Sequence, residues 1–283
     1  MPNEEKWIDL HTHSTASDGS DTPSELSVKM RNAGLAAGAL TDHDTVSGLE
    51  EFLRASEGTD FLAVPGVELS TRLRGKEIHI VGLFIDPSSE ALKGFLRDRR
   101  TERIRRNTEM IRKLQENGYE ITEEEVYAEA NGESVGRPHM ARVLLSKGYF
   151  SDMREAFSRC IGRNAPCYVP RESVTPDEAV RIIRASGGLP VWAHPILSAP
   201  SRSAMRRVLR ELVPAGLAGL ETRYPLYGER DREAAKAVAL EFGLLESGGS
   251  DYHGRNQPGI ELGRNLEIPY RDLEKMRKKL DRV

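Results

Sequence analysis

The first stretch able to do chemistry is Asp9-Leu10-His11-Thr12-His13, which closes the apolar run Trp7-Ile8-Asp9-Leu10. In a strand, alternate side chains share a face, so Asp9, His11 and His13 are expected on one side and Ile8 and Leu10 on the other. Two imidazoles at i and i+2 beside a carboxylate can hold a divalent ion, because neutral His nitrogen is a common ligand and a nearby carboxylate fixes its tautomer. Two hydrogen-bonded histidines in an edge strand would have the same local spelling. The remaining histidines separate the two readings. Of seven, six sit in or just after a predicted strand: His11, His13, His43, His79, His194 and His253. The carboxylates Asp18, Glu68 and Asp251 take the same kind of position. Nitrogen and oxygen donors without thiols suit several borderline or hard divalent ions such as Zn²⁺, Mn²⁺ or Fe²⁺. Barrels of alternating strands and helices build their active sites at the C-terminal strand ends, so the spacing predicts a multinuclear centre there.

Strands and helices in alternation must carry these residues. The strand at Trp7–Leu10 leads into a polar loop, His11–Asp21. Thr22-Pro23-Ser24-Glu25 then reads as a capped helix start, and that helix stops at Gly34. A strand at Leu35–Leu40 ends in Thr41-Asp42-His43-Asp44, and a helix from Val46 to about Glu57 follows. The run Phe61–Leu69 ends on Glu68, and Glu77–Phe84 is a strand with His79 near its start. From Ser88 to Cys160 helical periodicity takes over, with Leu92, Phe95, Leu96, Ile104, Met110, Ile111 and Leu114 on one long helix or two broken ones. Alternation resumes at Thr175-Pro176-Asp177-Glu178. It continues through strands at Leu189–Pro195 and Gly216–Tyr224, a helix at Arg230–Phe242, and the last strand and loop, Leu244–Gly254. The expected architecture is an α/β barrel over residues 1–87 and 166–283, interrupted by an all-helical insertion over 88–165.

Composition sets the limits. A 283-residue chain with 38% hydrophobic and 30% charged residues reads as soluble and globular, and its net charge of -3 argues against a general polyanion binder. No apolar run approaches a membrane span, and Met-Pro-Asn-Glu-Glu-Lys at the start has no signal-peptide core. The expected compartment is the cytoplasm, where Cys160 and Cys167 stay reduced. No protein partner is evident.

The motifs Asp9-Leu10-His11-Thr12-His13, Thr41-Asp42-His43-Asp44, Glu68, His194-Pro195 and Gly249-Ser250-Asp251-Tyr252-His253 together resemble the PHP (polymerase and histidinol phosphatase) superfamily. The resemblance implies a distorted (β/α)7 TIM-like barrel with two to three divalent ions (Mn²⁺, Fe²⁺ or Zn²⁺), three in the full trinuclear form. It implies one ion on His11, His13, Glu68 and Asp251, and a second on the bridging Glu68 with His79 and His194. The third falls to Asp18, His43 and His253. Many members place a histidine where this chain has Asp18, and the extra carboxylate favours a harder ion such as Mn²⁺. Asp9 and Asp42 are expected to orient imidazoles.

Gly136-Arg137-Pro138-His139-Met140-Ala141-Arg142 and Tyr168-Val169-Pro170 resemble small bacterial PHP phosphoesterases acting on nucleoside 3′,5′-bisphosphates or as 5′-to-3′ exoribonucleases on short oligonucleotides. By that resemblance Arg137 and His139 grip the phosphate that is not hydrolysed, with Arg171 a further contact; a capped helix start is the other reading of His139. Tyr224 and Tyr227 could stack on a base, or serve as core or rim tyrosines. The basic run Arg97–Lys113 could steer an anionic substrate or be a solvated face. The implied mechanism is attack by a metal-bound hydroxide, with Glu68, Asp251 and His253 as the catalytic set. Two alternatives stay open: a small-metabolite phosphatase, such as one for histidinol phosphate, and a non-catalytic metal-stabilised PHP module.

Overall fold

A computed structural model describes residues 5–130, 135–170, 174–264 and 266–281. Its contacts divide the chain into two compact units, Met1–Phe95 with Val174–Val283, and Leu96–Ser173.

In the first unit seven strands neighbour one another in chain order: β1 (Ile8–Asp9), β2 (Ala37–Leu40), β3 (Leu62–Leu73), β4 (Lys76–Leu83), β5 (Leu189–Trp192), β6 (Gly219–Arg223) and β7 (Leu245–Gly248). The ring all but closes between its first and last members. Leu10 N donates to Gly248 O (3.2 Å), Asp251 N to His11 O (2.8 Å) and His13 N to Tyr252 O (2.9 Å). The unit is therefore a distorted seven-stranded TIM-like barrel. The distortion lies at β4, which runs antiparallel to both β3 and β5 while the other pairs are parallel. A tight turn causes this reversal. Arg74 and Gly75 both adopt positive φ (51° and 82°), which matches the right-handed twist of a two-residue hairpin. The strand expected to end at Leu69 thus runs on to Leu73, and Glu68 sits mid-strand rather than at a strand end.

Helix α1 (Pro23–Asn32) starts in a capping box: Thr22 Oγ1 accepts from Glu25 N, and Glu25 Oε2 accepts from Thr22 N. It buries Leu26 and Met30. Met30 Sδ lies 2.4 Å from where a Cβ on Gly38 would stand, so a side chain there would force the Met30 side chain to move as α1 seats on β2. Helix α2 (Leu49–Arg54) follows β2. Helices α3 (Glu90–Glu116), α4 (Glu123–Ala130), α5 (Arg137–Ser146) and α6 (Met153–Ala156) carry the chain through the second unit. That unit has its own core, built from residues that include Met110, Leu114, Val126, Met140, Leu144 and Ile161. Ile104, expected on the apolar face of α3, is 45% exposed.

Helix α7 (Pro176–Ala185) returns the chain to the barrel and packs on β3, β4 and β5. Helix α8 (Pro195–Ser198) is a single turn after β5, and α9 (Arg202–Ala215) buries Met205, Leu209 and Leu212. After α10 (Glu229–Glu241) and β7, helix α11 (Tyr270–Leu280) adds Leu273 and Met276 to the barrel core beside Ile8, Val64 and Val191. Neither α9 nor α11 is anticipated from the sequence. No helix among the described residues is long and apolar enough to cross a membrane.

Candidate metal centre

Continuation of β1 delivers the first two imidazoles. Thr12 Oγ1 donates to Ala39 O (2.6 Å), which turns Thr12 towards β2 and leaves His11 and His13 facing the barrel mouth. Gly249 makes room for them, since a Cβ there would lie 2.2 Å from the His11 Cβ. His43 prolongs β2 and pairs with Glu68 in a parallel bridge. The antiparallel β3–β4 register sets Ser70 opposite His79, and Glu68, two residues from Ser70, shares that face. His194 follows β5, and Asp251 and His253 follow β7.

All nine residues predicted to ligate metal are brought together. Glu68 is fully buried at their centre. Its Oε2 lies 3.3 Å from His11 Nε2, 3.3 Å from His13 Nε2 and 3.0 Å from His43 Nδ1. Its Oε1 faces a different pair, His79 Nδ1 at 3.0 Å and His194 Nε2 at 3.2 Å. Asp251 Oδ1 lies 3.1 Å from His13 Nε2 and 3.4 Å from His11 Nε2. Asp18 is 3.2 Å from His253 Nε2 and 3.8 Å from both His13 Nδ1 and His43 Nε2. Three overlapping groups result: His11, His13, Glu68 and Asp251; His43, Glu68 and His79; His13, Asp18, His43 and His253.

The donor set fits divalent metal. His11 Nε2, both nitrogens of His13, His43 Nδ1, His79 Nδ1 and Glu68 Oε2 are buried with no hydrogen-bond partner. Buried polar atoms are rarely left that way, because desolvation without a partner costs on the order of 1–3 kcal/mol each. Without an ion, protons must do the neutralising. Burial pushes the Glu68 carboxyl up, but His43, His11 and His79 outweigh it and hold the group well below its usual range. Asp251 is lowered in the same way by His11 and His13 against burial. His79 is raised to about 10 despite burial, through Glu68 and Glu77, and His253 to about 9, through Asp18 and Asp251. A cation would replace those protons.

Asp9 and Asp42 do not orient imidazoles as expected. Asp9 accepts from Ser250 N (2.8 Å), Gly263 N (3.1 Å) and His11 N (3.4 Å), and Asp42 accepts from Ser14 N, Ser14 Oγ and Ser17 Oγ. Both carboxylates pin loop backbone and hydroxyls. The imidazoles are held instead by Glu221 and Glu77, with Glu221 Oε1 3.2 Å from His11 Nδ1 and Glu77 Oε1 3.3 Å from His79 Nε2. Sequence reasoning missed both. Glu221 had a usable signal, for it stands near a predicted strand end just as Glu68 does.

Among the substrate candidates, Tyr224 is buried, and its hydroxyl donates to Asp251 Oδ2 (2.9 Å), a place suited to orienting that carboxylate rather than to stacking on a base. Tyr227 is likewise buried, its hydroxyl accepting from Ile196 N (3.0 Å). In the helical unit the Arg137 guanidinium lies 5.5 Å from the Phe157 ring centroid and 5.6 Å from that of Tyr168. His139 is buried, and its Nδ1 accepts from Gly136 N (3.0 Å) at the start of α5. Arg171 lies outside the described residues. In the basic run, Arg106 donates to Val169 O, and Arg112 pairs with Glu109 and Glu116.

Residues 9–161 match the model of the PHP domain. The chain belongs to the PHP domain family. A 5′-3′ exoribonuclease of Haemophilus influenzae is 34% identical over 93% of this chain and 95% of its own length. A 3′,5′-nucleoside bisphosphate phosphatase of Chromobacterium violaceum is 32% identical, over 94% and 96%. A solved structure from Bifidobacterium adolescentis, described as a metal-dependent phosphoesterase, is similar at a TM-score of 0.79 and 29% identity, covering 98% of this chain and 96% of that one. As a PHP chain, the protein is a metal-dependent hydrolase of phosphoric esters.

Proposed function

We propose that this PHP enzyme hydrolyses phosphate esters of nucleotides, with nucleoside 3′,5′-bisphosphates and RNA 5′ ends as its substrate class. The observation that carries the metal chemistry is Glu68, a fully buried carboxylate whose two oxygens face two separate sets of imidazoles. The substrate class rests on the names of relatives that match nearly end to end.

His11, His13, Glu68 and Asp251 would hold one ion, Glu68, His79 and His194 a second, and Asp18, His43 and His253 a third. Nitrogen and oxygen donors with no sulfur fit Mn²⁺, Fe²⁺ or Zn²⁺. When bound, such ions lower the pKa of coordinated water and offset charge on the phosphoryl oxygens. The chain's own part is to hold that charge in place. Glu68 keeps the two ligand sets in register from the centre of the site. Asp251 and His253 follow β7 side by side, and their role is to assist the departing alkoxide. His253 Nδ1 donates to Asp251 O (2.8 Å), which directs its Nε2 towards Asp18 and the mouth. Arg137 and His139 are proposed, from the sequence motif, to grip the phosphate that is not cleaved, with Arg171 as a further contact. The working compartment would be the cytoplasm.

The test is a substrate panel on the Mn²⁺-loaded protein: nucleoside 3′,5′-bisphosphate, 5′-phosphorylated short RNA, histidinol phosphate and p-nitrophenyl phosphate. Highest kcat/KM on the bisphosphate or the RNA is expected. A clear preference for histidinol phosphate would overturn the substrate class and favour a small-metabolite phosphatase.

A further inference from the structure

Six of the seven strands supply or lead into a member of the imidazole–carboxylate cluster, and β6 alone does not. Its side chains nevertheless reach three members. Glu221 Oε1 lies 3.2 Å from His11 Nδ1, and Glu221 Oε2 accepts from His194 N at 2.5 Å. Tyr224, the next residue after β6, donates its hydroxyl to Asp251 Oδ2 at 2.9 Å. Both side chains are buried, at 2% and 3% exposure, so they are removed from competition by bulk water.

We propose that β6 is the positioning strand of the metal centre, with Glu221 and Tyr224 holding His11, His194 and Asp251 ready for metal. The proposal rests on the reading of those three residues as ligands. Its physical basis is the hydrogen count. A carboxylate only accepts, so the hydrogen of neutral His11 sits on Nδ1, and the Nε2 lone pair is left facing Glu68 Oε2 (3.3 Å) and Asp251 Oδ1 (3.4 Å). Nε2 is among the buried atoms without a hydrogen-bond partner.

The second Glu221 oxygen acts on backbone. His194 has φ 31°, a left-handed conformation that costs a non-glycine residue about 1 kcal/mol or more, and Pro195 follows it. Accepting its N–H fixes that turn, and with it the imidazole whose Nε2 lies 3.2 Å from Glu68 Oε1. Tyr227, in the loop after β6, accepts from Ile196 N and secures the same turn from its other side. Asp251 is also left-handed, at φ 54°. Tyr224 occupies its Oδ2, leaving Oδ1 towards His11 and His13.

Glu221→Gln makes the claim sharp. An amide has one acceptor, and the His194 N–H must keep it, so an NH₂ group then faces His11 Nδ1. His11 is driven to the other tautomer, with its hydrogen on Nε2 where metal would bind. The experiment is chelator-competition titration of zinc into wild type, E221Q, Y224F and T222V, with ¹⁵N-histidine NMR of the zinc-loaded proteins. E221Q is expected to weaken one zinc site by about 10- to 100-fold and to change the His11 nitrogen shifts. Y224F should weaken zinc by about tenfold, the lower end of what one hydrogen bond to a charged group contributes. Thr222, on the same strand, is bonded to Glu246 and away from the cluster, so T222V should bind zinc as wild type does. E221Q within about twofold of wild type, with unchanged His11 shifts, would overturn the proposal. If circular dichroism shows E221Q unfolded, Y224F decides, and zinc affinity equal to wild type sinks the idea. Wild type that binds no zinc in this cluster would instead defeat the ligand reading itself.

Discussion

Buried histidine is treated differently in the barrel and in the helical unit. In the barrel, four imidazoles present buried nitrogens that no hydrogen bond satisfies, all converging on one carboxylate. In the helical unit, His139 is buried too, but its Nδ1 is already taken by the Gly136 N–H at a helix start. Burial alone does not mark a ligand. The mark is a buried donor atom for which the fold provides no partner, because leaving it so is costly unless something else fills the gap. Cys160 and Cys167 make the same point on the helical side. Their sulfurs lie 3.6 Å apart in an apolar core, and burial pushes the Cys160 thiol up to about 12, which suits packing rather than metal binding.

The contrast breaks most visibly at Glu68. Glu68→Gln should lower kcat/KM on the order of 10³-fold, because it removes the buried charge that the imidazoles face. Elemental analysis should show at least one ion lost. Equal metal content and equal rates in the two proteins would return the cluster to a purely structural role.

Arg137→Ala probes the other unit. If it grips a second phosphate, kcat/KM on a nucleoside bisphosphate should fall by about 10²-fold, equivalent to ~2.7 kcal/mol, with p-nitrophenyl phosphate almost unaffected. Equal losses on both substrates would place it on the reacting phosphate instead. No loss on either would leave it as a packing residue over Phe157 and Tyr168.

Removal of metal should make the two units respond differently to pH. His79 and His253 are raised to about 10 and about 9 in the folded protein, above an unfolded value near 6.5. The stability they contribute is present in full below about pH 6.5 and is lost as pH climbs through about 9 to 10. Hydrogen exchange of chelator-treated protein should therefore show the barrel strands losing protection across that window. Restoring Mn²⁺ should suppress the loss, since bound metal has already displaced the protons. Protection that stays flat in the metal-free barrel would contradict the coupling of these imidazoles to Glu68, Glu77 and Asp18.

The smallest effect is expected at His139. His139→Ala removes the acceptor for the Gly136 N–H and should destabilise the protein by about 1 kcal/mol, with metal content unchanged. Loss of an ion in this variant would erase the distinction between His139 and the barrel histidines.

Much of this centre is legible from local spelling. Alternation in Asp9-Leu10-His11-Thr12-His13 places both histidines on one face, and both do reach the cluster. The same alternation misplaced Asp9, whose carboxylate turns to the backbone of Ser250 and Gly263, partners 241 and 254 residues away. Helix α1 could be read from its capping box, whereas α9 and α11 were not. Both carry local signals that sequence reasoning passed over: α9 starts at a Ser201 N-cap, stops at a left-handed Gly216 and repeats Met205, Leu209 and Leu212 at helical spacing, and α11 pairs Leu273 with Met276.

Residue types and strand positions determine which atoms can bind metal, because side-chain direction follows from a period that a few neighbouring residues set. Only the tertiary structure decides which of them share an ion. His79 stands near the start of its strand, where a parallel strand would carry it to the wrong end of the barrel. The Arg74-Gly75 turn reverses β4 and brings His79 to within 3.0 Å of Glu68. Glu221 meets His11 across 210 residues because the ring of strands curls until it all but closes. Ring closure and strand reversal are properties of the whole sheet, set by hydrogen bonds between segments far apart in the chain.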